Sequence, residues 1–330
     1  LALAGGVGLL PSRLAATPAD LADRKFLFIF ALGGWDPTWV FAPMFGTDIY
    51  YDTEASLASS GGIDFVDSFD RPSVRSFFER YASRTCIING FEVRSVTHER
   101  CRRLLLTGNS QSTADDWPSI LAGSVDGYAL PHLVVSGPAY TAHYTTSVMR
   151  LGENGQLSTL LDGTALSTLD LPVQGLSTNA RSKVDTFVRQ RGETFVTFQD
   201  AHTASFFSDF LTAEDQQHLI RALPNLDLAV HMTGMVPVSE RAKPALACFE
   251  GGYSRCAMLA HEGQYETGWD NHSDIQQQSF HYDLLFSDLL AILQELETRT
   301  GTSGQPLSEE VTLVVCSEMG RAPKLNATGG

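Results

Sequence analysis

The run KFLFIFALGGWD, residues 25 to 36, is unbroken by polar side chains from Phe26 to Leu32 and then stops at two glycines. A strand with one wet face would alternate. A continuous run is instead buried on both faces, as in the centre of a parallel sheet. TCIING (85–90), LPHLVVSG (130–137) and VTLVVCSEMG (311–320) have the same form. Helical stretches lie between these runs, so the chain is expected to be α/β, with a mostly parallel, doubly wound sheet. In such sheets ligands bind at the carboxyl ends of the strands.

The helices are expected over 71–82, 114–125 and 274–298. In the last, Tyr282, Leu285, Leu289, Ile292 and Leu296 recur at three- and four-residue steps and give one apolar stripe. Ser73 is a candidate cap for the first helix, and Ser273 and Asp274 for the last. Residues 138–182 are rich in Ser, Thr and Gly with weak periodicity and read as an insertion over the sheet edge. No repeat or linker divides residues 23–330, which are expected to form one domain.

With 43% apolar residues, the 330-residue chain can bury a large core. Its 38 acidic against 23 basic residues, a formal net charge of −15, argue against a surface that tracks nucleic-acid phosphates. Five scattered cysteines without a CxxC pair suggest neither a zinc ribbon nor a disulfide scaffold. Cys86 and Cys316 lie in apolar runs and are expected as buried, inert thiols. Residues 1–22 begin with a short Gly/Ala/Leu-rich apolar run followed by small residues, the pattern of an export signal lacking its charged start. That segment is also a candidate contact with an envelope or membrane partner.

Polar residues follow several of these runs. Asp36 comes after the first strand, Glu318 ends the last, and Asp270 and His272 precede the long helix. Carboxylates and imidazoles at one sheet edge suit a divalent cation such as Zn²⁺, Mn²⁺, Ca²⁺ or Mg²⁺. Asp270 and its neighbours serve equally as the start of a helix. His261 stands at a strand end nine residues before Asp270 and is placed to line the same cleft. The other histidines lack partners at ligand spacing and read as structural.

FIFALGGWDPTWVFAP, VTHERCRRLLLTGN, GWDNHSDIQQQ and VTLVVCSEMGRAPKLNATGG, in this order, resemble the DUF1501 family of exported bacterial proteins, related to the alkaline phosphatase and sulfatase superfamily. The resemblance runs from about residue 25 to the end. It implies an alkaline-phosphatase-like core, export through a twin-arginine type of signal to the periplasm or cell surface, and metal ligation by Asp36, Asp270, His272 and Glu318. Counting back from Thr107-Gly108 places Arg102 on the motif arginine and His98 on the nucleophile, with Thr97 beside it. Two departures stand out: Met319 replaces the histidine of the last motif, and the sequence stops where the family continues into a further histidine motif. The latter implies that a C-terminal part of the domain is missing here.

Two function classes follow. One is a metal-dependent hydrolase of a phosphate or sulfate ester, with Thr97, His98 and Arg102 as its catalytic candidates. The other is a non-catalytic envelope or surface subunit that keeps the fold.

Overall fold

The computed structural model describes residues 24–45, 54–111, 113–152, 157, 176–198, 200–221, 236–264, 268–272, 274–322 and 324. The signal-like segment 1–22 lies outside them, as do residues 153–156 and 158–175 of the expected insertion. The fold is α/β. Strands β1 (Lys25–Ala31), β4 (His132–Val134), β5 (Val148–Arg150), β6 (Cys256–His261) and β7 (Val311–Ser317) form one sheet in the order β5-β4-β6-β1-β7. All its pairings are parallel. A separate antiparallel hairpin joins β2 (Ser56–Ser60) to β3 (Ile63–Asp67).

Eight helices accompany these strands among the described residues: α1 (Pro72–Tyr81), α2 (His98–Thr107), α3 (Trp117–Gly123), α4 (Thr178–Phe198), α5 (Ala201–Arg221), α6 (Val238–Glu250), α7 (Gln277–Thr298) and α8 (Leu307–Glu310). None is long and apolar enough to cross a membrane.

The two faces of the sheet follow from strand geometry. Successive side chains point to opposite sides, so Leu27, Ile29 and Ala31 of β1 and Ala257 and Leu259 of β6 share a core with Val74 and Phe78 of α1, Leu246 of α6 and Leu285 of α7. Phe28 and Phe30, with Cys256 and Met258, pack on the other side against Leu106 of α2 and Ala122 of α3. Burial on both faces is why β1 and β6 carry no alternation. The five stripe residues of α7 are all buried, as their spacing predicts.

Several expectations are corrected. Residues 85–90 form no strand: β7 pairs only with β1 in the described sheet, and an extended run without a ladder partner gains nothing from its β propensity. Cys86 and Ile88 are accordingly exposed rather than buried. Cys316 is half-buried, and burial pushes its thiol up to about 12. Ser73 does not cap α1; its amide donates to Asp283 at 2.8 Å. Asp274 does not cap α7, which starts after Gln276 without a side-chain cap, while Ser273 lies outside the described residues.

Candidate metal centre at the carboxyl edge of the sheet

The loops leaving β1 and β7 and the segment 268–272 meet at the carboxyl edge. Their approach depends on Gly33 and Gly34, both at positive φ. A β-carbon at Gly34 would lie 2.7 Å from Met319 Cγ, so the loop after β1 fits against its neighbours only as bare backbone. Arg321, a residue absent from the expected site, ties the same loops together. It donates through Nε to Gly34 O (2.9 Å) and through Nη2 to Trp269 O (2.8 Å) and Asp270 Oδ1 (3.1 Å). No spacing in the sequence announces this role, because three of its four acceptors, Gly33 O at 3.3 Å among them, are backbone carbonyls.

Gln278, fully buried in the first turn of α7, braces the site from below. Its amide oxygen accepts from Asp36 N at 3.1 Å, and its Nε2 donates to Trp269 O (3.0 Å) and Asn271 Oδ1 (2.8 Å). Trp269 is fully buried and donates its indole N–H to His261 Nδ1 at 2.8 Å. His261 therefore supports the segment from beneath rather than lining the cleft. Desolvation holds its imidazole down at about 3, so it is a neutral acceptor for Trp269.

Above this base, His98 enters from the first turn of α2, whose N-cap is Thr97 and whose end is Gly108 in the left-handed region. Cys101 and Leu106 are buried on the inner side of this helix, which fixes the face that His98 presents. His98 Nε2 lies 3.2 Å from Asp270 Oδ2, and His272 Nε2 lies 2.7 Å from Asp270 Oδ1. One ligand atom from each of His98, Asp270 and His272 can be chosen so that all three lie within 4.8 Å of one another. His98 Nδ1 faces Glu318 Oε1 at 3.0 Å, and Arg102 Nε stands 3.7 Å from the same oxygen.

The structure thus gathers five of the seven expected residues: His98, Arg102, Asp270, His272 and Glu318. Asp36 and Thr97 stand apart from the trio. Asp36 is buried, and its Oδ1 caps the short turn that follows, accepting from Thr38 N (2.9 Å) and Thr38 Oγ1 (2.7 Å). Desolvation raises its pKa, partly offset by those hydrogen bonds. Thr97 is exposed and uses its amide to bond Ser95 Oγ.

Two imidazoles and one carboxylate that converge within reach of a single point are a suitable donor set for a zinc-class cation. Around them, the carboxylates of Asp270 and Glu318 are matched by the guanidiniums of Arg102 and Arg321. A bound cation would therefore leave the centre net positive and able to receive an anion. Comparison of the chain with protein-family models, with curated proteins and with solved structures finds no match.

Proposed function

We propose that this chain carries an alkaline-phosphatase-like core of the DUF1501 kind, acts outside the cytoplasm, and hydrolyses a phosphate or sulfate ester with the help of one divalent cation. The observation that carries this reading is the convergence of His98, Asp270 and His272 at the carboxyl edge of a parallel sheet. These three residues would hold the cation. A bound cation of this class supplies Lewis-acid polarisation of the ester and lowers the pKa of water.

The chain's own groups do the rest. Arg102, projecting from α2 beside His98, offers a guanidinium to the anionic oxygens of the ester. Arg321 holds Asp270 and the glycine loop in place, so that the carboxylate keeps its aim at both imidazoles. The burial of Trp269 and Asn271 closes the floor of the site to water.

Metal content by elemental mass spectrometry, followed by turnover of aryl phosphates and aryl sulfates, tests the proposal. The wild-type protein should carry one equivalent of cation that an Asp270→Ala/His272→Ala variant lacks, together with ester hydrolysis that the same variant abolishes.

A second reading is favoured by the placement of Asp36 and Thr97. The Asp36 carboxylate is turned to Thr38 and, among the described residues, the Thr97 hydroxyl makes no contact with the trio, so neither of these two expected residues serves the centre. The chain would then be a non-catalytic envelope or surface subunit. Stoichiometric cation without turnover of any ester in the screen would select this reading over the first.

A further inference from the structure

Glu318 has the residue type of a ligand but the surroundings of a support. Its side chain is fully buried. Its Oε1 accepts the Gly33 amide at 2.9 Å, faces His98 Nδ1 at 3.0 Å and lies 3.7 Å from Arg102 Nε. Its Oε2 lies 3.4 Å from Ser317 Oγ, whose proton goes to Ala31 O at 2.7 Å. Oε1, the oxygen nearest the trio, already has the Gly33 amide and His98 Nδ1 within 3.0 Å, which leaves it little lone-pair density for a cation.

With Nε2 given to a cation, the ring keeps its one proton on Nδ1, the nitrogen that faces Glu318 Oε1 at 3.0 Å and donates to it. The other ring nitrogen, Nε2, points away from Glu318 toward Asp270 and His272. The ring is thereby fixed in plane and in tautomer, as ligating histidines are when a carboxylate holds their far nitrogen.

We propose that Glu318 is a positioning residue and not a ligand: it anchors His98 through Nδ1 and presents His98 Nε2, so that the centre is a two-imidazole, one-carboxylate site selective for zinc-class cations. This rests on the reading that the trio holds a cation, and it alters the ligand set expected from the sequence. His98 enters that set, and Asp36 and Glu318 leave it. Magnesium and calcium, which take all-oxygen sets, should bind far more weakly than zinc.

The test uses the whole chain with ¹⁵N-labelled histidine, as wild type, Glu318→Gln, Glu318→Ala and Asp270→Ala. Zinc affinity is measured by chelator competition, and the ligating nitrogen by ¹¹³Cd–¹⁵N coupling in the cadmium-loaded protein. The expected result is coupling to Nε2 of His98, a loss of zinc affinity of about 10–100-fold in Glu318→Ala, and substantial recovery in Glu318→Gln, whose amide oxygen still accepts from Nδ1–H. The proposal is overturned if His98 couples through Nδ1, or if Glu318→Gln loses as much affinity as Asp270→Ala, since only a ligating carboxylate is so intolerant of the amide.

The metal-free protein separates the two ideas. A hydrogen-bonded Nδ1–H proton resonance of His98, present in the wild type and absent in Glu318→Ala, upholds the positioning role even if no cation binds, and then only the cation reading falls. If that resonance is missing from the folded wild-type protein, the positioning role itself is wrong.

Discussion

Gly33 and Asp270 approach so closely that a β-carbon built on Gly33 would lie 2.6 Å from the Asp270 backbone nitrogen. Gly33 also holds φ at +126°, a conformation that L side chains rarely adopt. The two constraints act together: replacing Gly33 strains the loop and pushes away the residue that aims at both imidazoles. Gly33→Ala should therefore cost on the order of 2–3 kcal/mol of stability, read from denaturant unfolding. It should also weaken cation binding. Gly62, at φ +85° with open space around it, is the matched control. Gly62→Ala should destabilise by less and leave the centre intact.

Gln278 joins the loop after β1, through the Asp36 amide, to the segment holding Trp269 and Asn271. Gln278→Leu keeps the volume but leaves the buried Asp36 N–H without its acceptor. Each unsatisfied buried group costs about 1–3 kcal/mol, so the variant should lose roughly 2–4 kcal/mol in thermal or chemical unfolding. An unchanged midpoint would mean that these loops are held by Arg321 and the packing of Trp269 alone.

The parts of this architecture that were legible in the sequence are those that depend on burial. β1 read correctly because its side chains announce two-sided packing, and α7 because Tyr282 to Leu296 repeat with a helical period; β7 read correctly as a strand but lies at the edge of the described sheet, with Leu313 to Cys316 only half-buried. Residues 85–90 carry the same apolar signal, yet a strand also needs a neighbour with free backbone groups, which no local pattern encodes. At the centre, Asp270, His272 and Glu318 were legible as residue types at strand ends and a helix start. The link between Glu318 and His98 joins residues 220 positions apart, and the bonds of Arg321 and Gln278 run largely to backbone atoms. Such contacts follow only once the topology is known. The Ser73 cap failed for a related reason, because Asp283 of α7 satisfies the amide at the start of α1.

Zinc should stabilise the folded chain, since the trio exists only when α2 and the segment before α7 are docked. At a free concentration 100 times Kd, binding contributes about 2.7 kcal/mol and raises Tm by several degrees; a chelator reverses it. His98→Ala should abolish this response. His143→Ala should preserve it, because His143 pairs with Asp115 through Nδ1 at 3.0 Å, outside the trio. Equal zinc responses in the two variants would show that the stabilising site is elsewhere.

His132, fully buried at the start of β4, supplies a pH dependence that can be isolated from the centre. Desolvation holds its pKa at about 3 against the ordinary 6.5. The unfolded chain therefore takes up this proton first as the solution is acidified. Stability from the neutral ring is complete above about pH 6.5 and falls as pH drops toward 3. Asp36 and Asp116, whose pKa values are raised by burial, contribute with the opposite sign at lower pH, so the whole-protein profile mixes both. Comparison with His132→Phe removes that ambiguity. Between pH 6 and pH 5 the wild type should lose about 1 kcal/mol more than the variant, measured as the difference in urea unfolding free energy. A parallel pair of profiles would mean that His132 is protonated in the folded protein, and that its place between the sheet and α3 is wetter than the packing indicates.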